Sequence, residues 1–178
     1  MTDTSRRKVV LSLGSNLGDR LANLQAGIDL ICASDGIDCQ AVSGVYSTSP
    51  VGGPGQPDFL NAVLVASTTL PARAVLQRCQ DAERAANRVR TVRWGPRTLD
   101  VDVIACGDEI SDDPELTLPH PRARERGFVL IPWHEIDPVA KIPGDGAVAN
   151  LIGKAGGSGV SRLDGPSLRL RPGGGEDR

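Results

Sequence analysis

Apolar positions recur along this chain at two spacings. A β-rich run from Lys8 to Leu13 ends in Gly14-Ser15-Asn16-Leu17-Gly18-Asp19-Arg20. Leu17, Leu21, Leu24, Ile28 and Ile31 then follow at steps of four and three, which predicts an amphipathic helix ending before Gly36. Gln40 to Ser47 reads as a second strand and Phe59 to Thr68 as a third, with a Gly- and Pro-rich loop from Thr48 to Asp58 between them. Pro71 opens a helix running to about Ala86, with Leu76, Cys79 and Ala86 facing the core and Gln80 and Glu83 together on a neighbouring stripe. Leu99, Val101 and Val103 alternate with Thr98, Asp100 and Asp102, so a fourth strand carries two carboxylates on one face. Asp112 to Glu115 is a polar loop, Leu116 to Leu118 a brief strand, Lys141 to Gly146 a strand and turn, and Ala147 to Ala155 a last short helix. The connections 40–68 and 100–118 look like hairpins, which implies antiparallel pairing. The expected class is α+β, a ferredoxin-like sandwich with helices covering a mainly antiparallel sheet. One domain spans residues 1–160; glycine and serine dominate beyond Gly156, and residues 161–178 read as a flexible tail.

Composition narrows the partners. The 178 residues suit a single core, and aromatics make up only 3%, so Val, Leu, Ile and Ala fill it. A net charge of −2 argues against a general nucleic-acid or membrane binder. Arginines nevertheless crowd between Arg84 and Arg97 and again at Arg122, Arg124 and Arg126, which suggests a small anionic ligand. Four cysteines, Cys32, Cys39, Cys79 and Cys106, show no C-x-x-C spacing and read as reduced packing residues. No apolar leader precedes Lys8 and no run reaches membrane-spanning length, so a cytoplasmic monomer is expected.

The chemistry centres on Asp100 and Asp102. Carboxylates two apart on a strand repel unless a cation sits between them, and magnesium takes oxygen ligands of this kind. Taken alone, a D-x-D is more often a solvated edge strand whose charges pair locally. Arg88, Arg90, Arg93 and Arg97 just upstream favour metal and phosphate, since each guanidinium can hold phosphate oxygens bidentately. His120 lies in a proline-flanked loop with arginines after it, a setting that suits a phosphate contact. The glycines after the first strand fit neither nucleotide-loop pattern and read as a turn with a helix cap.

The stretch R-W-G-P-R-T-L-D-V-D-V-I, from Arg93 to Ile104, resembles the signature of the 6-hydroxymethyl-7,8-dihydropterin pyrophosphokinases of folate synthesis. The G-S-N-L turn, T-S-P-V-G-x-x-x-Q-P-D-F-L-N-A from Thr48, L-P-H-P-R-A-R-E-R-G-F-V-L from Leu118 and P-W-H-E-I-D-P to Pro138 are similar to further family segments. The resemblance implies that Gly14, backbone from Thr48 through Ser49 and Pro50 to Val51, Asn61, Phe59, Trp94 and Phe128 meet the pterin. It implies that Gln80, Glu83, Arg90, Trp94, Arg97, Val103, Thr117, His120 and Arg126 contact ATP. Asp100 and Asp102 would hold two magnesium ions, while Arg88 and Arg97 would stabilise the transferring group. Ser49 stands in place of a frequent proline, Phe59 of a frequent tyrosine and Glu115 of an occasional basic residue. The arginine loop at 87–94 is one residue shorter than in some members and lacks a lysine they carry.

The implied reaction moves pyrophosphate from ATP to 6-hydroxymethyl-7,8-dihydropterin and releases AMP. Two rivals remain at this stage. A metal-dependent nucleotidyl or phosphoryl transferase acting on another flat heterocycle would release ADP or pyrophosphate. A ferredoxin-like nucleic-acid module would need exposed strand aromatics and positive charge, and neither is present.

Overall fold

The computed structural model describes residues 5–49, 55–86, 98–157 and 159–171. Strand β1 (Arg7–Ser15) leads into α1 (Arg20–Cys32), whose first turn is capped by Asp19 accepting the Ala22 N–H at 3.1 Å. Leu17 sits before the helix and is exposed, while Leu24, Ile28 and Ile31 are buried. Next come β2 (Ile37–Val42), β3 (Tyr46–Thr48) and β4 (Phe59–Thr68). The single strand expected from Gln40 to Ser47 is thus two. Ser43 interrupts it, and its hydroxyl and N–H engage the Val63 N–H and carbonyl at 2.9 Å each, so the ladder is kept by a side chain where the backbone bends.

Helix α2 (Ala72–Ala86) begins straight after Pro71 and precedes β5 (Asp100–Cys106). A small hairpin of β6 (Ser111–Asp113) and β7 (Leu116–Leu118) follows, so part of the expected polar loop is itself a strand. Then come a short 3-10 turn, α3 (Gly127–Ile136), the pair β8 (Lys141–Ile142) and β9 (Gly146–Ala147), α4 (Val148–Ala155) and β10 (Val160–Arg162).

The main sheet runs β10-β3-β4-β1-β5, with β2 also on β4, and every pairing is antiparallel. The architecture is α+β, as the hairpins implied. Odd-numbered residues of β1, Val9, Leu11 and Leu13, face α1 and α2, where Leu24, Ile28, Val75, Cys79 and Leu99 complete one core. Val10, Val63, Val65 and Ile104 form a second core with α3 and α4 through Leu130, Trp133, Val148 and Leu151. Burying both faces explains why β1 and β4 read as near-continuous apolar runs.

Two expectations are corrected here. Residues 161–171 are packed rather than a free tail: β10 pairs with β3, Leu163 N–H donates to the Val45 carbonyl, and Leu168 is buried. Cys32 and Cys39 form a disulfide linking the end of α1 to β2, whereas Cys79 and Cys106 are free and buried. Their spacing of seven spans a tight turn that brings the two side chains together, a proximity no spacing motif encodes. Among the described residues no helix is long and apolar enough to cross a membrane.

Candidate active site

One face of the sheet changes character along its length. Residues paired across an antiparallel ladder point to the same side. Val10 lies opposite Val65 and Ala105, in the core. Two steps on, Ser12 lies between Val63 and Asp102; two further, Gly14 lies between Asn61 and Asp100. The same face that anchors α3 therefore ends in a polar shelf of Ser12, Asn61, Asp100 and Asp102. A shift in the β1–β5 register between Val10 and Leu11 separates the two regions.

A cavity of about 700 Å³ opens over this shelf. Phe59 and Phe128 stand in its wall, as do Thr48, Ser49, Arg126 and Val160. Asn61 is buried, and its amide N–H donates to the Thr48 hydroxyl at 2.8 Å. A Cβ on Gly14 would come within 3.3 Å of Asn61 Oδ1 and 3.5 Å of Phe59, so the missing side chain keeps the floor open. A cavity with two aromatic rings in its wall and a fixed carboxamide at its floor suits a flat heterocycle with hydrogen-bonding edges.

A second cavity of about 220 Å³ lies beyond the edge strand, lined by Val101, Val103, Leu76, Thr117 and His120. Asp102 borders both cavities. His120 Nδ1 accepts the Arg122 N–H at 3.2 Å, which leaves the proton of the neutral ring on Nε2. Burial lowers the His120 pKa, with Asp102 opposing and Arg126 and Arg122 reinforcing the shift, so the ring is a neutral donor at pH 7. Thr117 donates its hydroxyl to the Asp113 carbonyl at 3.0 Å.

Arg126 joins the two regions. Its guanidinium approaches Asp102 at 3.9 Å and lies 5.5 Å from the Phe128 ring centroid. Glu83 accepts the Val101 N–H at 3.3 Å, tying α2 to the strand that carries the aspartates. Gln80 is exposed on α2 and lines neither cavity. Pro50, Val51, Arg88, Arg90, Trp94 and Arg97 lie outside the described residues. Glu115 lines the smaller cavity and pairs with Arg73 at 3.0 Å.

Asp100 and Asp102 supply two carboxylates on one face, and among the described residues no cluster of three or more His, Cys, Asp or Glu side chains is poised for a metal. That donor set fits magnesium, which keeps waters and substrate phosphates among its ligands rather than filling its shell with protein groups. Arg122, from the second arginine cluster, lines the large cavity, and Ser12, Gly156, Gly159 and Val160 also line it without having been foreseen. The alternation from Ser12 to Gly14 could have indicated Ser12; the last three come from a segment whose glycines suggested only looseness.

Residues 10–138 match the family described as 7,8-dihydro-6-hydroxymethylpterin-pyrophosphokinase (HPPK). Among similar proteins, one from Mycobacterium tuberculosis named 2-amino-4-hydroxy-6-hydroxymethyldihydropteridine pyrophosphokinase is 49% identical over 145 residues, covering 76% of this chain and 75% of the relative. Relatives of the same name from Methylorubrum extorquens and Pseudomonas aeruginosa are 41% and 35% identical, over 88% and 89% of this chain and 99% and 98% of theirs. A solved Plasmodium falciparum HPPK-DHPS structure aligns with a TM-score of 0.66 at 12% identity, over 86% of this chain and 46% of that one. This likeness concerns the fold alone, and the chain spans under half the length of that solved protein.

Proposed function

The chain belongs to the 7,8-dihydro-6-hydroxymethylpterin-pyrophosphokinase family, whose reaction transfers pyrophosphate to hydroxymethyldihydropterin in folate biosynthesis, and on that premise we propose the donor, the metal and the residue roles. ATP is the donor and AMP the second product. The observation that carries the reading is that Asp102 borders both the aromatic-walled cavity and the smaller cavity beside His120. An acceptor in the first and a triphosphate entering from the second would meet at this carboxylate.

The heterocycle lies between Phe59 and Phe128, and Asn61, held by Thr48, presents Oδ1 to a ring N–H. Backbone at Thr48 and Ser49 meets the other edge, and the family resemblance of the sequence assigns Pro50 and Val51 the same role. Gly14 leaves the ring room. In the smaller cavity Val103 and Thr117 flank the nucleotide, and neutral His120 donates from Nε2 to a phosphate oxygen. Arg126 sits where it can exchange Asp102 for a phosphate. Glu83 holds β5 in place through the Val101 N–H.

Asp100 and Asp102 would hold two magnesium ions, whose charge offsets that of the triphosphate and eases loss of the acceptor's hydroxyl proton. Arg88, Arg90, Trp94 and Arg97 complete the reading from sequence: Arg88 and Arg97 stabilise charge on the transferring group, Arg90 positions phosphate, and Trp94 covers both substrates. Positioning and electrostatics carry the reaction without a dedicated general base. The enzyme works as a cytoplasmic monomer on small molecules, not on nucleic acid or a membrane; the Cys32–Cys39 bond is the feature that pulls toward a more oxidising setting.

The test is product analysis after incubation with ATP, magnesium and 6-hydroxymethyl-7,8-dihydropterin. AMP in equal amount to diphosphorylated pterin is expected. Release of ADP or inorganic pyrophosphate instead would replace this reading with that of another phosphoryl or nucleotidyl transferase.

A further inference from the structure

The outer wall of the large cavity is built by a segment beyond the family-matched stretch. Ala155, Gly156, Gly159 and Val160 line it, yet the match ends at residue 138. The segment runs from the end of α4 into β10, a three-residue edge that among the described residues pairs with β3 alone, the strand that leads into Thr48 and Ser49. So short an edge has little stability of its own. The approach to it bends through Gly156 and Gly159, both at positive φ of 74° and 82°.

Glu135 supplies what the edge lacks. Projecting from α3, its Oε1 accepts the Tyr46 hydroxyl at 2.6 Å and Arg162 Nε at 3.1 Å, while Oε2 accepts the Gly44 N–H at 2.8 Å. One carboxylate therefore ties the start of β3, the bend before it and the end of β10 to a single helix. Gly44 is part of the fit. A Cβ there would stand 2.8 Å from both Nε and Nη2 of Arg162, so a larger residue at this position would push the guanidinium off its present path across the backbone to Glu135. Arg162 lies opposite Tyr46 in the ladder, two residues from Val160, which lies opposite Thr48. Thr48 in turn holds Asn61. The chain of contacts runs from the latch to the carboxamide at the cavity floor.

We propose that Glu135, Arg162 and Gly44 form a latch that holds β10 against β3 as the outer wall of the acceptor cavity, making this C-terminal strand a determinant of acceptor affinity. Glu135 and Arg162 are positioning residues; neither lines the cavity. The inference rests on the reading of that cavity as the hydroxymethyldihydropterin site. It makes the latch selective, because the smaller cavity is built from β5, β7 and α2 and shares no element with β3 or β10.

The experiment is calorimetric titration of the full chain with 6-hydroxymethyl-7,8-dihydropterin, in the presence of a non-hydrolysable ATP analogue and magnesium, and separately with the nucleotide analogue alone. Arg162→Met, Glu135→Gln and Gly44→Ala are compared with the parent, and Arg162→Lys serves as the conservative rescue. Losing a charge-assisted contact of this kind should weaken acceptor binding about five- to tenfold in Arg162→Met and Gly44→Ala, with nucleotide affinity within about twofold of the parent and Arg162→Lys in between. Val160→Trp, which leaves the latch whole and fills the wall, should also weaken the acceptor alone. Unchanged acceptor affinity in folded Arg162→Met and Gly44→Ala, or equal losses for both ligands, would overturn the latch while leaving the enzymatic reading standing. A parent protein that binds no dihydropterin at all would overturn both.

Discussion

Arg126 stands 3.9 Å from Asp102, and the same guanidinium lies 5.5 Å from the centroid of the Phe128 ring. The side chain that approaches the shared carboxylate also leans on a wall of the large cavity. Whatever draws Arg126 from Asp102 toward a phosphate changes what Phe128 packs against. Two cavities that could have been independent are thereby joined through one residue.

This coupling separates two substitutions. Asp102→Asn keeps the shape of the site but removes the charge, and turnover should fall by about 10²–10³ while acceptor affinity changes little. Arg126→Ala should raise KM for ATP and for the dihydropterin together, because phosphate contact and ring support are lost at once. Steady-state kinetics with each substrate varied checks both. An Arg126→Ala enzyme in which only the nucleotide KM moves would show that its place over Phe128 has no effect on the acceptor.

Gly14→Ala probes the floor of the slot. The added methyl would meet Asn61 Oδ1 at 3.3 Å, a tight contact against a buried side chain, and Phe59 at an ordinary 3.5 Å. Backbone strain is not at issue, since Gly14 is paired in a regular ladder on both sides. Dihydropterin affinity should fall about tenfold, a cost of about 1.4 kcal/mol, with the melting temperature held or slightly raised as a strand glycine is replaced. Equal affinity by titration would move the acceptor away from Gly14.

Much of this arrangement was legible before the structure. The period-two pattern from Leu99 to Val103 placed Asp100 and Asp102 on one face, and the ladder confirms that face as the one holding Ser12 and Asn61. Phe59 to Thr68 is one strand with the expected ends, and α2 opens straight after Pro71 as its pattern indicated. What local pattern could not convey came from contacts distant in sequence. Ser43 breaks a strand because its hydroxyl replaces a backbone partner twenty residues away. Leu168 is buried although glycines surround its segment, since burial there depends on a core supplied by other elements. Asp102 belongs to two cavities only because the hairpin of β6 and β7 brings Thr117 and His120 beside β5. Cys32 and Cys39 meet for the same kind of reason, a turn geometry rather than a motif.

The disulfide should matter to stability and not to catalysis. It joins α1 to β2 near Ile37, which pairs with Thr68 at the far end of β4 from Phe59 and Asn61. Closing so short a loop restricts the unfolded chain by about 2–3 kcal/mol in the chain-entropy description. The Cys32→Ser, Cys39→Ser double variant should therefore unfold at lower denaturant, with kcat and both KM values unchanged. Lost turnover in a folded double variant would contradict the separation of this bond from the site.

Acid should release Glu135. Burial works to raise its pKa, but hydrogen bonds from Tyr46, the Gly44 N–H and Arg162, with the charge of Arg162, outweigh that and hold it below the ordinary carboxylate value. Burial and Glu135 also push the Tyr46 hydroxyl up to about 12, so this partner stays a donor throughout the acid range. A depressed carboxylate stabilises the folded state fully above its unfolded pKa, about 4.3 for glutamate, and the contribution disappears as pH falls through the lower folded value. The stability difference between the parent and Glu135→Gln should therefore be constant from pH 7 down to about 5, then shrink steadily as the carboxylate of the parent takes up its proton. Denaturant melts of both proteins across pH 7 to about 3 give this difference directly. A gap that widens on acidification would mean that Glu135 is held by folding in its protonated form, contrary to the three donors that surround it.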